Sequence, residues 1–148
     1  MEGEKPTTVM CSLIAMDHSD LFYRICSICE KTLPCDPSSL CKSCDCPPKR
    51  LFRLLVSIAT DTKVLNVICF DRAARVLFGC SADDFFDFAK LHPFAAATAG
   101  KILEGEMFGI TLSKPKNGNA RHLRVASIVP LRSDFQPAIK SLRELYGG

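Results

Sequence analysis

The chain has 148 residues, of which 47% are hydrophobic and 24% are charged, a composition that predicts one globular domain with its own core. Its 19 Lys and Arg stand against 16 Asp and Glu, so the net charge of +3 permits a nucleic-acid partner without requiring one. No apolar run approaches the ~18–20 residues of a membrane span. The polar residues 1–6 are unlike a secretory signal, so a cytosolic or nuclear protein is expected, and we predict the nucleus.

An opening strand is predicted over residues 7–16, where Val9, Cys11 and Leu13 recur at every second position. Such alternation places one set of side chains toward a core and the other set toward solvent. The polar run at residues 17–20 predicts a turn after this strand.

A cysteine cluster follows, with six of the nine cysteines between positions 26 and 46. Cys26 and Cys29 are separated by two residues, and eleven residues later Cys41 and Cys44 repeat that spacing. Zinc prefers a tetrahedron of soft ligands, and a two-residue gap lets one tight turn bring both sulfurs to the same ion. We predict that these four thiolates hold one structural Zn²⁺ in a ribbon insertion over residues 24–48. Four thiolates leave no open position for water, so the metal is not expected to be catalytic.

The remaining cysteines leave other arrangements open. Cys35 has no partner at the spacing of a metal pair, whereas Cys46 competes with Cys44 as a ligand. A secreted disulfide framework is the alternative to zinc, but the odd count and the missing signal argue against it. Cys11, Cys69 and Cys80 lie in apolar or helical contexts and are expected to be small core residues.

Two strands and two helices are predicted next. Residues 51–60 and 64–70 form a hairpin around a turn at 60–63. Asp71 is predicted to cap a helix that ends at Gly79, and Ser81 to cap a second helix. Residues 92–105 are interpreted as a loop and a short helix.

The last third of the chain predicts two strands and a terminal helix. The strands cover residues 107–112 and 122–129, and Asn-Gly between them signals a hairpin turn. The helix covers residues 136–146, with its apolar residues on one face.

The predicted fold is mainly β. Five strands with a helix between the third and fourth give the order of an OB-fold, a small Greek-key barrel. We therefore predict a single OB-fold domain over residues 7–146, with the zinc ribbon as an insertion and a C-terminal helix. Such barrels bind oligonucleotides on strands two and three and on two loops, which here are the ribbon and the basic hairpin 114–124.

The stretches YRICSICEKTL and VICFDRAARVLFG, with the strand pair between them, resemble the C-terminal DNA-binding domain of the large subunit of replication protein A. The closely spaced first cysteine pair is also similar to that of the DNA damage-induced apoptosis suppressor family. That pair is closer together than in the replication subunit, and Asn66 stands where an aromatic residue is often found. The resemblance implies binding of single-stranded DNA and a terminal helix that packs with helices of two smaller subunits.

Basic and aromatic side chains are the candidates for nucleic-acid contact, because cations follow the phosphates and aromatic faces stack on bases. The predicted contacts are Arg24, Arg50, Arg53, Lys63, Lys114, Lys116, Arg121, Arg124, Tyr23 and Phe52. The alternatives are ordinary solvated charges and aromatic residues of the core. Four of the cations are grouped in the hairpin 114–124, and no acidic residue occurs between Met107 and Arg132.

Two functions follow from these observations. The first is a single-stranded DNA-binding protein of replication, recombination or repair, with RNA as a further possible ligand. The second is an assembly module that contacts subunits like those of replication protein A through Ile139, Leu142 and Leu145. The alternative for those three residues is packing against the chain's own barrel. No catalytic pattern is found, and we expect a protein that is not an enzyme.

Overall fold

The computed structural model describes residues 7–33, 48–114 and 122–147. Its strands are β1 Thr7–Met16, β2 Phe22–Cys26, β3 Thr32–Leu33, β4 Pro48–Ala59, β5 Val64–Phe70, β6 Met107–Ser113 and β7 Leu123–Pro130. Its helices are α1 Asp71–Phe78, α2 Ala82–Leu91, α3 Ala95–Leu103 and α4 Ala138–Tyr146. None of these helices is long and apolar enough to cross a membrane.

Five strands close into a ring. The order is β1-β6-β7-β5-β4, and β1 pairs with β4 to complete the circuit. All pairs in the ring are antiparallel except β5 with β7, which run parallel. The first half of β4 extends beyond the ring and pairs with β2, which in turn pairs with β3. The predicted five strands, with helical structure between the third and fourth, are confirmed.

The interior of the ring follows from the alternation of side chains along its strands. On β4, Phe52, Leu54, Val56 and Ile58 are all buried, because every second residue of a strand lies on the same face. Burying a side chain of this size contributes about 1.5–3 kcal/mol. The buried Cys11 and Cys69 belong to the same cluster, as predicted for these two. Burial raises the pKa of the Cys69 thiol to about 12, so it stays neutral.

The helices cover one side of the ring, and their ends are defined by local interactions. Ser81 caps α2 as predicted, because its hydroxyl accepts a hydrogen bond from the Asp84 N–H at 3.1 Å. The prediction for Asp71 was wrong, since it is the first residue of α1 and makes no cap. Its carboxylate instead accepts a hydrogen bond from the backbone N–H of Phe52 at 3.1 Å, joining the helix to β4.

The C-terminal helix α4 begins at Ala138, two residues later than predicted. Pro137 adopts an extended conformation at its N-cap, which starts the helix at the next residue. Ile139 and Leu142 are buried in the chain's own core, whereas Leu145 is 65% exposed. Two of the three residues predicted to bind a partner are therefore occupied by intramolecular packing, which was the alternative.

Candidate nucleic-acid interface

The outer face of β4 and β5 is the surface opposite the core residues of these strands. Register pairs Arg53 with Phe70, Leu55 with Ile68, and Ser57 with Asn66. We call these six residues the β4–β5 face. Because the residues between them on β4 are buried, the members of these pairs lie on the outside of the ring, where Ile68 is covered and the other five are at least partly exposed.

One end of the β4–β5 face carries aromatic and basic side chains in contact. The rings of Tyr23 and Phe70 meet edge to face, with centroids 6.1 Å apart. The guanidinium carbon of Arg124 lies 4.5 Å from the centroid of the Phe70 ring. Arg53 pairs with Phe70 across the strands and is exposed. We call Tyr23, Arg53, Phe70 and Arg124 the Phe70 cluster.

The chemistry of the Phe70 cluster suits a charged aromatic ligand. Arg124 comes from β7, where it stands opposite Ile68 of β5, so three strands of the ring and the added β2 contribute to one surface. An aromatic ring and a guanidinium plane both offer faces on which a nucleobase can stack. Partial burial raises the pKa of the Tyr23 hydroxyl, so the phenol is neutral and remains a hydrogen-bond donor.

The aromatic predictions need correction at two positions. Phe52 is fully buried, so it cannot present a ring to a ligand. Phe70 was not predicted, although the sequence held the signal. Val67 and Cys69 alternate as inward residues of β5, and this alternation places Phe70 on the opposite face.

Arg50 contacts two side chains of α2. Its guanidinium lies 3.3 Å from Asp83 and 3.5 Å from the centroid of the Phe86 ring. Its backbone N–H also donates to Asp83. These contacts join β4 to α2, and we reassign Arg50 from phosphate binding to packing.

Three of the other predicted cations fall within the described residues, at two separate places. Lys63 and Lys114 are exposed and line a cleft of about 300 Å³ between the β4–β5 turn and the end of β6. Arg24 is half-buried on β2, opposite Arg50. Lys116 and Arg121 lie outside the described residues.

The first cysteine pair forms a tight turn after β2. The Cys26 sulfur is buried and accepts hydrogen bonds from the N–H groups of Ile28 and Cys29, both at 3.4 Å. The N–H of Glu30 donates to the Cys26 carbonyl at 3.0 Å, and Glu30 has a left-handed backbone with φ of 63°. Two N–H donors directed at one sulfur favour its thiolate form, so this turn fits a metal ligand.

The second cysteine pair of the predicted zinc site is not among the described residues. Cys41 and Cys44, and the alternatives Cys35 and Cys46, lie outside the described residues. Within residues 7–33, 48–114 and 122–147, no three His, Cys, Asp or Glu side chains are grouped to hold a metal. The described part of the chain thus supplies one two-cysteine turn, and a four-thiolate site requires a second pair from residues 34–47.

Comparison with known proteins gives structural likeness only. No family model matches the chain. No curated protein sequence matches it either. The structure of yeast RPA (replication protein A) bound to single-stranded DNA matches with a TM-score of 0.71 at 18% identity, over 97% of this chain and 85% of that chain.

A replication protein A heterotrimer bound to single-stranded DNA gives a similar result. Its TM-score is 0.70 at 20% identity, over 97% of this chain and 35% of that chain. At these identities the likeness concerns the fold. The chain therefore has a fold like that of a domain in replication protein A.

Proposed function

We propose that this protein binds single-stranded DNA through the β4–β5 face and acts, without catalysis, in DNA replication, recombination or repair in the nucleus. The observation that carries the proposal is the Phe70 cluster, which gathers two half-buried aromatic rings and two guanidinium groups on the outer face of the ring. The fold likeness supports it, because both similar structures are described as replication protein A bound to single-stranded DNA.

The ring topology supports an OB-fold barrel. In order along the chain, the ring strands pair one with two, two with three, three with five, five with four, and four with one. Helices α1, α2 and α3 lie between the third and fourth of these strands, and α4 follows the fifth. OB-folds bind oligonucleotides on the face of their second and third strands, which correspond here to β4 and β5.

Binding would combine stacking with charge. A base stacking on Phe70 or Tyr23 contributes about 1–3 kcal/mol whatever its sequence, because every base has a π-face. Arg53 and Arg124 beside those rings would contact the adjacent phosphates, with Lys63 and Lys114 further along. Each neutralised phosphate adds to the salt dependence of the affinity.

A fluorescence-anisotropy titration with a labelled oligo-dT strand, at low and at moderate salt, tests this proposal. We expect binding that weakens as salt increases, and further weakening when Arg53 and Arg124 are both changed to Ala. Lys101→Ala is the matched control, since Lys101 is an exposed cation on α3, away from the β4–β5 face. Absence of binding at low salt would overturn the proposed function.

We also propose that Cys26, Cys29, Cys41 and Cys44 hold a structural zinc ion. The support is the turn at Cys26, where two N–H groups point at the sulfur. Bound zinc would cross-link this turn to the residues that follow and so fix the loop beside β2. Metal analysis of the purified protein should give one zinc per chain. Cys26→Ser should remove it, and retention of zinc by that variant would contradict the ligand assignment.

The assembly role receives less support from the structure. Ile139 and Leu142 pack into the chain's own core, so of the three predicted contacts only Leu145 is exposed for a partner. One of the similar structures is a heterotrimer, but this describes replication protein A and not the present chain. We therefore favour DNA binding, with subunits like those of replication protein A as an additional partner through Leu145.

A further inference from the structure

We propose that Asn66, oriented by Ser57, makes the interface prefer bases that carry a carbonyl oxygen, such as thymine, over adenine. The inference rests on the proposed function, because it concerns which strand the β4–β5 face selects. It assigns a specificity-determining role to a polar pair on an otherwise apolar part of that face.

The two residues form a fixed pair in the middle of the hairpin. Ser57 on β4 and Asn66 on β5 are directly opposite in register. The Ser57 hydroxyl donates a hydrogen bond of 2.6 Å to the Oδ1 atom of Asn66. Asn66 is exposed and Ser57 half-buried, so the amide lies on the solvent side of the pair.

This hydrogen bond sets which polar atoms of Asn66 are available. A side-chain amide has one acceptor oxygen and an NH₂ group with two donor hydrogens. With Oδ1 accepting from Ser57, both NH₂ hydrogens and only one lone pair of Oδ1 are left to a ligand. The pair therefore presents itself mainly as a donor.

Bases differ in how well they match a donor. A free side-chain amide matches adenine through two bonds, because its oxygen accepts from the adenine amino group while its NH₂ donates to a ring nitrogen. Since Ser57 already uses one lone pair of Oδ1, that two-bond match is weakened, whereas the carbonyl oxygens of thymine need only a donor. An amide that mainly donates therefore matches thymine better. A mismatched base leaves polar groups without partners, and this loss is the source of discrimination.

Asn66 and Phe70 are far enough apart on β5 to contact different bases. Asn66 is four residues from Phe70 along β5, or about 13 Å at the rise of a strand. Half-buried Leu55 and buried Ile68 lie between them. A base over Asn66 is thus a different base from the one stacked on Phe70, and selectivity at one position adds to affinity at the other.

Anisotropy titrations with oligo-dT and oligo-dA of equal length test the inference in wild type, Asn66→Leu and Ser57→Ala. The readout is the ratio of the two affinities, since the two strands differ in their own stacking. We expect Asn66→Leu to lower the dT preference by roughly 3–10-fold, the range of one net hydrogen bond, with dA affinity unchanged. Ser57→Ala should lower it less, because the amide remains but is no longer held.

The controls separate this inference from the proposed function. Ser127→Ala changes an exposed serine on β7 that pairs with Thr111 of β6, and it should leave the ratio at the wild-type value. An unchanged ratio in both Asn66→Leu and Ser57→Ala would overturn the inference while DNA binding stood. Failure of wild type to bind either strand would overturn both.

Discussion

Replacing Phe70 by Ala tests the stacking surface without introducing or removing a charge. Phe70 lies on the outer face of β5, so the substitution leaves the core residues Val67 and Cys69 in place. It removes the edge-to-face contact with Tyr23 and the support under Arg124. Those two contacts are worth about 0.5–1.5 and 0.5–1 kcal/mol, so their loss should lower the free energy of unfolding by about 1–2.5 kcal/mol.

The loss of binding free energy for DNA should be similar in size to this loss of folding stability. One base stacked on an aromatic ring contributes about 1–3 kcal/mol, which corresponds to a 5–150-fold weaker binding of oligo-dT. The slope of affinity against salt should stay at its wild-type value, because no phosphate contact is removed. Anisotropy at several salt concentrations measures both quantities, and urea unfolding shows that the variant is folded in the assay.

An exposed phenylalanine elsewhere on the surface provides the control. Phe94 precedes α3 and is 75% exposed, away from the β4–β5 face. Phe94→Ala should bind oligo-dT like wild type. If Phe70→Ala did the same, within twofold and while folded, the assignment of the Phe70 cluster as a stacking surface would be refuted.

Three further predictions concern charge and packing. Changing Lys63 and Lys114 together to Ala should flatten the slope of log affinity against log salt for oligo-dT by about 1.4, at ~0.7 per phosphate contact. An unchanged slope would show that DNA does not cross the cleft that these two lysines line. Leu142→Ala should lower the free energy of unfolding by about 2–5 kcal/mol in urea, since Leu142 is fully buried, whereas exposed Leu145→Ala should change it by under ~0.5 kcal/mol. Asp71→Ala removes the acceptor of the Phe52 N–H and should lower the free energy of unfolding by about 1–3 kcal/mol. Asp87→Ala, at an exposed position of α2, is the control and should unfold like wild type.

The strands and their order followed from the sequence because their patterns are local. Alternating apolar residues and turn signals identified β1, β4, β5, β6 and β7, and the helix between the third and fourth ring strands completed the topology. The capping role of Ser81 was also predictable, because a capping serine bonds an N–H only three residues away.

The site was harder to predict because it depends on contacts distant in sequence. Tyr23, Phe70 and Arg124 meet only through the pairing of β2, β4, β5 and β7. Asp71 resembled a cap locally, yet its carboxylate bonds to Phe52, nineteen residues earlier. Arg50 looked like a phosphate ligand until α2 placed Asp83 and Phe86 against it.

The parallel pairing of β5 with β7 gives the ring a weak seam. Among the described residues, three pairs join these strands, from Val67 with Leu123 to Cys69 with Val125, whereas seven pairs join β4 to β5. Arg124 crosses this seam from β7 to lie on Phe70 of β5. A strand of DNA bound over the Phe70 cluster would bridge the same junction. Binding would therefore stabilise the ring against local opening between β5 and β7.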